Sequence, residues 1–298
     1  NYDRISAWSV LEEDGGSAAD TLGHGTLVAG ILAAETDNNK GIAGLTDGVS
    51  LLMIRCFTGK TGKLDDMLEA IGYAIEQDVD VINMSVGGTG ADAKAMEPLL
   101  QKAAEAGVLV VAAAGNLGTT ASYYPAAFDC VTGVGSVDAD GRVSSFSQHN
   151  DSVFVTAPGS AIYGLGIGGP AAYQTDRGTS FAAPMVTALA VMAKQADPEL
   201  DHSGFQTLLR MSVQDAGDPG WDEYYGHGTV SASAFSEALE ADYRITYEAN
   251  GGTVSGTAGV TYADSYRIGS GSEAVLPSAE KAFCAFDGWY PEPSCSGR

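Results

Sequence analysis

The sequence predicts an α/β fold with a doubly wound, mostly parallel sheet, helices on both faces, and a small C-terminal β-rich module. Strand-like and helix-like segments alternate up to about residue 240. The strand-like segments are continuously apolar, as expected for parallel strands that are covered on both faces. After Tyr243 the sequence shows no helical period and consists of short β segments with Gly turns. These observations predict two domains, at residues 1–242 and 243–298.

Hydrophobic spacing places the elements in order along the chain. Residues 50–56 form the first clear strand-like run. Apolar residues then recur at helical spacing at Leu64, Met67, Leu68, Ile71 and Ile75. Further strands are predicted at residues 79–84, 108–114, 131–137 and 153–157, and further helices at residues 92–105 and 231–239, with an apolar helix that opens at Ser180.

The chain is strongly acidic. Its 298 residues include 38 acidic and 15 basic side chains, for a net charge of −23. This charge excludes nucleic acid as a partner and suits a salty or extracellular setting. No apolar run approaches the roughly 20 residues that would span a bilayer. The N-terminus lacks a signal-peptide pattern and an initiator Met, so we expect a fragment or a processed product.

Four cysteines are too few for a disulfide scaffold in a chain of this length. Cys56 and Cys130 lie in apolar, strand-like runs, which predicts buried thiols. Cys284 and Cys295 lie close together near the end of the sequence and could pair. No CxxC or HxxxH spacing indicates a zinc site.

Ser180 lies between small residues in the segment Gly178–Pro184, at the opening of an apolar helix without charge until Lys194. A buried helix with Ser180 in its first turn aims the hydroxyl and the free N–H groups of the helix at one spot. A nucleophile there meets donors for a developing oxyanion. The alternative is that Ser180 only caps the helix.

His24 opens a second helix, because Leu27, Val28 and Ile31 follow it at helical spacing on the same face. A serine hydroxyl is a weak nucleophile until a neighbouring base takes its proton. Open α/β sheets bring such loops together at the carboxyl ends of their strands. The alternative is a histidine at a helix start that backbone groups satisfy.

Asn116 follows the apolar strand 108–114 directly. Its side-chain amide could donate to an oxyanion at the same edge of the sheet. The alternative is an Asn that serves only a turn.

Four segments, in this order and spacing, resemble the signatures of the subtilisin-like serine proteases. They are His24–Gly30, Asn83–Gly88, Ala112–Asn116 and Gly178–Pro184. The resemblance runs from about residue 20 to residue 240 and implies a serine endopeptidase that acts on protein or peptide substrates. It also implies that Ser180 attacks the scissile carbonyl, that His24 transfers the proton, and that Asn116 holds the oxyanion together with the Ser180 backbone N–H.

The resemblance assigns two segments to substrate binding. Their residues are Ser85, Val86, Gly87, Ala113, Ala114 and Gly115. The first three would pair with the substrate main chain as an added strand, and the last three would form another wall of the pocket beside the scissile bond. The depth of that pocket, and with it the preference for the residue before the scissile bond, depends on the loop around Ser122 and Tyr123.

The third catalytic residue of the family is an Asp at the end of an apolar strand upstream of the His. Asp3, Asp14 and Asp20 are the only aspartates before His24, and none follows an apolar strand. Asp20 is too close to His24 in the sequence to reach behind the ring. We therefore expect the triad Asp upstream of Asn1, a nearly inactive chain and an active longer protein. The alternative is a non-catalytic, protease-like surface or adhesion protein.

Two further motifs need an assignment. His227 also starts a His-Gly-Thr triplet, but in the family a Gly-x-Gly segment at this place precedes a terminal helix, so we interpret His227 as a decoy. The loop Asp37–Gly41 resembles a position where some members bind structural calcium. Lys40 weakens that case, and a turn is the alternative. No cofactor is required by the predicted chemistry.

The segments Ile245–Gly252 and Phe286–Tyr290 resemble the β-grasp-like repeats of bacterial surface proteins, of the Listeria–Bacteroides type. This resemblance implies a secreted or wall-attached bacterial protein whose flanking regions contact the cell wall. The repeat would act as a spacer or an adhesive stalk. Trp289 and Tyr290 could bind a ligand or belong to the core of the module.

Overall fold

The fold is described from a computed structural model. The structure describes residues 4–11, 16–59, 61–241, 243–247, 249, 252–256, 262–263, 265–266 and 275–281. The chain divides into two compact units, Asn1–Ala238 and Leu239–Arg298. The domain boundary that the sequence suggests, between residues 242 and 243, lies close to this division and stays a prediction.

The first unit alternates strands and helices, as the sequence predicts. Its strands are β1 (Ile5–Ser9), β2 (Leu51–Arg55), β3 (Val81–Met84), β4 (Leu109–Ala113), β5 (Thr132–Val137), β6 (Val155–Pro158), β7 (Ile162–Leu165), β8 (Tyr173–Asp176), β9 (Val213–Gln214) and β10 (Thr229–Val230). The α-helices among the described residues are α1 (His24–Ala33), α2 (Leu64–Glu76), α3 (Glu97–Glu105), α4 (Thr179–Ala196), α5 (His202–Ser212) and α6 (Ala232–Glu240).

The main sheet has the strand order β3-β4-β5-β6-β10-β9. All neighbours in it are parallel except β10 and β9. β1 and β2 form a separate parallel pair, and β7 and β8 form an antiparallel hairpin. The predicted mostly parallel α/β fold is confirmed.

The packing of β4 explains why the sequence is continuously apolar over residues 108–114. Val110 and Ala112 pack in one cluster with Leu100 and Ala103 of α3. The alternate residues of the strand are equally buried, because α4 packs against β3, β4, β5 and β6. A strand covered on both faces has no solvent face on which polar residues could alternate.

Several elements were not predicted from the sequence. They are β1, the β7–β8 hairpin, β9, β10 and α5. Polar residues and glycines interrupt the apolar pattern of β7 and α5. The start of α5 had a local signal, since the Asp201 side chain accepts a hydrogen bond from the Gly204 N–H at 2.8 Å and caps the helix.

The predicted helix at residues 92–105 is divided into two parts. Ala91–Met96 is a 3₁₀ helix, and α3 begins at Glu97. Pro98 lies in the first turn of α3, where its missing N–H costs no helical hydrogen bond.

Cys56 is half-buried, Cys130 is buried, and both thiols are free. Burial raises the pKa of the Cys56 thiol to about 11, and the nearby Asp66 carboxylate adds to the shift. Burial also raises the pKa of Cys130. Both cysteines are therefore protonated and unreactive at neutral pH. Cys284 and Cys295 lie outside the described residues.

The second unit contains β11 (Tyr243–Arg244), β12 (Thr253–Ser255), β13 (Ser265–Tyr266) and β14 (Ser278–Glu280). β11 pairs with β13 and β12 pairs with β14, both antiparallel. The segment Phe286–Tyr290 lies outside the described residues. Across the part of the chain that the structure describes, no helix is long and apolar enough to cross a membrane.

Candidate active site

The candidate site lies where the carboxyl ends of β3 and β4 meet the first turn of α4. Ser85 follows β3, and Asn116 comes three residues after β4. The two strands are parallel neighbours in which Met84 is opposite Ala112, so both loops leave the same edge of the sheet. The sheet topology thereby brings two predicted site residues to the helix that carries Ser180.

Ser180 and Ser85 hold each other by two hydrogen bonds. The Ser180 hydroxyl donates to the Ser85 carbonyl at 3.1 Å, and the Ser85 hydroxyl donates to the Ser180 carbonyl at 2.7 Å. Asn83 Nδ2 donates to the Ser85 hydroxyl at 3.0 Å, and the Thr187 hydroxyl donates to Asn83 Oδ1 at 2.9 Å. The N-cap of α4 is Gly178, without a side-chain cap. Ser180 therefore does not serve as a helix cap.

Asn116 is oriented by Thr179, which is fully buried. The Thr179 N–H and hydroxyl donate to Asn116 Oδ1 at 2.8 and 3.0 Å, and the Gly115 N–H donates to the Thr179 hydroxyl at 3.1 Å. Because a backbone N–H can only donate, the atom facing it must be the amide oxygen. Within the described part of the chain no group accepts a hydrogen bond from Asn116 Nδ2, which leaves that N–H₂ available to a ligand.

The loop that carries Asn116 is anchored by Gln148, a fully buried side chain. Its Oε1 accepts from the backbone N–H groups of Leu117 and Thr119 at 3.0 and 3.2 Å. Its Nε2 donates to the Ala121 carbonyl at 2.7 Å. Sequence reasoning missed Gln148, because its partners lie about 30 residues away in the chain.

His24 begins α1, whose N-cap residue is Gly23, and the Asp20 side chain accepts the hydrogen bonds at the start of this helix. Asp20 Oδ1 accepts from the N–H groups of Leu22 and Gly23 at 2.9 and 2.8 Å. Its Oδ2 accepts from the Thr26 N–H and hydroxyl at 2.8 and 2.7 Å. Burial alone would raise the pKa of the Asp20 carboxyl, but these hydrogen bonds outweigh it, and the pKa lies below its usual value.

The His24 ring is half-buried beside Phe181, with 5.3 Å between the ring centroids. Burial lowers the pKa of His24, and the carboxylates of Asp176 and Asp20 oppose this shift only in part. The imidazole is therefore neutral at neutral pH and can accept a proton. Among the described residues, no hydrogen bond joins the His24 side chain to a carboxylate or to Ser180.

β1 (Ile5–Ser9) is a strand upstream of His24, and Asp14 comes five residues after it in the sequence, so the prediction that no such strand precedes His24 is wrong. Asp3 and Asp14 lie outside the described residues. Asp176 ends β8 and is exposed, and it accepts from the Arg177 N–H at 2.8 Å. The hairpin that carries Asp176 is tied to the start of α1, because Gln174 Nε2 donates to the Gly23 carbonyl at 2.6 Å.

His227 lies in a different environment from His24. Its backbone N–H donates to the Phe154 carbonyl at 2.8 Å, and its ring packs edge-on against the Phe154 ring at 4.8 Å between centroids. Burial lowers the pKa of His227, and the positive charge of Arg210 lowers it further. These contacts give His227 a role in packing.

The loop Asp37–Gly41 is held by its own contacts. Asn38 Oδ1 accepts from the Lys40 N–H at 2.8 Å, and Asn38 Nδ2 donates to Glu35 at 3.3 Å. No group of three or more His, Cys, Asp or Glu side chains that could hold a metal occurs among the residues described. Structural calcium at this loop stays a prediction.

The predicted pocket residues lie around the Ser180–Ser85 pair. Ala113, Ala114 and Gly115 are buried, whereas Val86 and Gly87 are half-buried. The sequence pointed to Thr179 only by its place in the Gly-Thr-Ser triplet. It gave no signal for Asp20 as the residue that caps α1 beside His24.

Comparison with known proteins now identifies the family. Residues 3–228 match the sequence model of the subtilase family, Peptidase_S8. The chain belongs to the subtilase family. Subtilases are serine endopeptidases, and the fold, the order of motifs and the neutral His24 agree with that membership.

This subtilase is similar to proteases of known name. It is 33% identical over 235 residues to the minor extracellular protease Epr of Bacillus subtilis, covering 78% of this chain and 36% of Epr. It is 35% identical to subtilisin DY of Bacillus licheniformis, covering 73% of this chain and 79% of that protein. It is 39% identical to the major intracellular serine protease of Bacillus subtilis, covering 65% and 63%. The chain thus spans about a third of the length of Epr and most of the length of subtilisin DY.

Solved structures with the same fold include a protease from Pseudoalteromonas arctica. The TM-score is 0.70 at 26% sequence identity, covering 79% of this chain and 84% of that one. A lanthipeptide protease superimposes with a TM-score of 0.68, covering 80% and 82%. Its 23% identity supports the subtilase fold alone.

Proposed function

We propose that this subtilase is a secreted endopeptidase that cleaves protein substrates through an acyl-enzyme on Ser180. The observation that carries the proposal is the arrangement at the ends of β3 and β4. A serine in the first turn of a buried helix lies beside an Asn whose amide oxygen is already bonded and whose N–H₂ group has no acceptor among the described residues. A histidine held neutral by burial opens the helix packed against it.

In the proposed reaction, Ser180 Oγ forms a bond to the scissile carbonyl carbon while His24 takes the hydroxyl proton. Asn116 Nδ2 and the Ser180 backbone N–H donate to the oxyanion that develops. His24 then protonates the leaving nitrogen, and the C–N bond breaks. Water then attacks the resulting ester and gives a proton to His24, the bond between the acyl carbon and Ser180 Oγ breaks to release the carboxylic acid, and His24 returns the proton to Ser180 Oγ.

The substrate main chain would bind along Ser85–Gly87 as an added strand. This segment directly continues β3, which lies at one end of the main sheet order. Ala113–Gly115, which continues β4, would form the opposite wall. In the free enzyme the Ser85 carbonyl accepts from the Ser180 hydroxyl, so substrate binding and activation of the nucleophile would begin at the same group.

The carboxylate that orients His24 is proposed to lie outside the described residues. Both Asp20 oxygens already accept hydrogen bonds from the start of α1. Asp176 is exposed and acts on His24 only through its charge. Without an orienting carboxylate kcat falls by a factor of about 10⁴.

The Asp3→Asn and Asp14→Asn variants should be assayed beside the wild type against denatured casein. A loss of kcat by a factor of about 10⁴ in one of them would identify that carboxylate as the one that orients His24. Unchanged activity in both would contradict such a role for these two residues.

A second candidate function is a non-catalytic adhesion protein that retains the protease fold. The predicted surface repeat of the second unit is the feature that favours it, and it suggests a cell-wall location in either case. The relatives include one protease named as extracellular and another named as intracellular, and the net charge of −23 favours secretion.

Labelling with a fluorophosphonate separates the two functions. The full-length protein should be labelled, and the Ser180→Ala variant should not. A folded wild-type protein that stays unlabelled would favour adhesion over catalysis.

A further inference from the structure

The side chain of Tyr123 stands between the two wall segments, Ser85–Gly87 and Ala113–Gly115. A Cβ atom added at Gly87 would lie 2.6 Å from Tyr123 Cε1, and one added at Gly115 would lie 2.7 Å from Tyr123 Cγ. Such distances are shorter than any normal Cβ contact. The ring therefore stands between the two glycines, one from each wall.

The Tyr123 ring is held at both ends. Its hydroxyl donates to the Gly87 carbonyl at 2.8 Å. The next residue, Tyr124, exchanges two backbone hydrogen bonds with Gly88, each 2.8 Å long. Burial raises the pKa of the Tyr123 phenol, so the hydroxyl stays protonated and continues to donate at alkaline pH.

The glycines at the two wall positions accommodate this ring. Any side chain at Gly87 would also meet the Tyr124 carbonyl at 2.2 Å, and any side chain at Gly115 would meet Gln148 Cγ at 2.7 Å. The Tyr123 ring and the Tyr124 carbonyl therefore occupy the space between the two walls. A substrate side chain directed between the walls has to share that space or displace the ring.

We propose that Tyr123 determines specificity by restricting the substrate residue just before the scissile bond, P1, to glycine, alanine or serine. This inference rests on the proposed endopeptidase function. In the proposed pose the substrate strand lies along Ser85–Gly87 with its scissile carbonyl at Ser180. The P1 side chain then points toward the wall Ala113–Gly115. The Tyr123 ring stands there, so a large side chain clashes and a small one fits.

The test uses the full-length protein and four peptide substrates that differ only at P1, which is Gly, Ala, Leu or Phe. We expect kcat/KM for the Phe substrate to lie at least about 100-fold below that for Ala, the discrimination a closed apolar pocket can give. Tyr123→Gly should raise kcat/KM for Phe by about the same factor and leave the value for Ala within a few-fold.

Two control variants separate the ring from its hydroxyl and from general surface effects. Tyr123→Phe keeps the ring and removes the bond to Gly87, so the preference for small residues should persist. Met211→Ala removes an exposed large apolar side chain of α5 and should leave the ratio of kcat/KM for the Phe and Ala substrates unchanged.

The same preference can be measured with the wild type alone, by identifying the sites at which it cleaves denatured casein. P1 at these sites should be a small residue. Equal cleavage after Phe and Ala by the wild type, or an unchanged profile in Tyr123→Gly, would overturn the inference. Fluorophosphonate labelling of Ser180 in the same samples reports the catalytic machinery separately. A labelled protein with broad cleavage contradicts only the role of Tyr123, and a folded, unlabelled protein contradicts the proposed function and this inference with it.

Discussion

The helix that carries Ser180 and the helix that carries His24 are held in different ways. α4 packs against β3, β4, β5 and β6, and most of its residues are buried. α1 packs against α4 and β7, and only Leu27, Gly30 and Ile31 of its ten residues are buried. The position of Ser180 is therefore set by the centre of the fold, whereas that of His24 depends on a few contacts at its edge.

The hydrogen bonds at the starts of α4 and α1 show the same contrast between the centre and the edge of the fold. Thr179 and Ser180 contact loops that leave the main sheet directly, through Asn116 and Ser85. His24 is positioned by the Asp20 cap and by the hairpin residue Gln174. We infer that the nucleophile and the oxyanion donor are pre-organised, and that the base can adjust as substrate binds.

The largest expected effect contrasts the two histidines that start His-Gly-Thr triplets. His24→Ala in the full-length protein should lower kcat by a factor of about 10⁶, because the proton acceptor is lost. His227→Ala removes a ring packed on Phe154 and should leave kcat within a few-fold. Steady-state kinetics on casein-derived peptides measure both, and a comparable loss from the two variants would overturn the assignment.

The second-largest expected effect concerns Asn116, which belongs to the pre-organised part of the site. Asn116→Leu removes the proposed oxyanion donor and should lower kcat by a factor of about 10²–10³ while KM changes little. Thr179→Val keeps the amide but removes the hydroxyl that binds it and leaves the Gly115 N–H without its partner. We expect a smaller loss of kcat together with about 1–3 kcal/mol less free energy of unfolding. An unchanged kcat in Asn116→Leu would remove Asn116 from the mechanism.

A third effect tests the contacts that Asp20 makes with the start of α1, the helix that His24 begins. Asp20→Ala removes the cap of α1 and should lower the free energy of unfolding by about 1 kcal/mol. Because the folded-state pKa of Asp20 is lowered, its stabilising effect is present above the unfolded-state pKa of about 3.9 and is lost as pH falls through the folded-state pKa. Urea denaturation as a function of pH measures both features.

Asp201→Ala is the control for this variant, because the Asp201 side chain also accepts a hydrogen bond from the backbone N–H of the third residue of a helix, here Gly204 of α5. It should cost similar stability but leave kcat unchanged. If Asp20→Ala also leaves kcat unchanged, the cap stabilises α1 without positioning His24.

The smallest effect concerns the surface charge beside His24. The Asp176 carboxylate raises the pKa of His24, so Asp176→Asn should lower that pKa further. The acid limb of the kcat/KM profile should then move to lower pH, and the difference from wild type should shrink at high salt. Asp140→Asn, which changes an exposed charge on another loop, should leave the limb in place. A shift to higher pH would contradict the proposed electrostatic contact.

Sequence reasoning recovered most of the first unit because its strands and helices carry strong local signals. β4 is apolar throughout, α1 and α2 repeat at helical spacing, and α4 has no charge before Lys194. The elements that were missed are the short or half-exposed ones, β1, β7, β8, β9, β10 and α5. Their apolar faces form only against other parts of the fold, so no single stretch of sequence contains the pattern.

The sequence by itself determined the α/β class and the order of the motifs around His24, Asn116 and Ser180. These properties follow from hydrophobic periodicity and from short runs of residues, which are local. The tertiary structure decided which atoms meet: Asn116 Oδ1 with Thr179, Asp20 with the start of α1, and Tyr123 with Gly87 and Gly115. Contacts between residues far apart in the chain depend on the register of the strands and the path of each loop, which no local pattern contains. For that reason the depth of the pocket beside Ser180 became readable only from the fold.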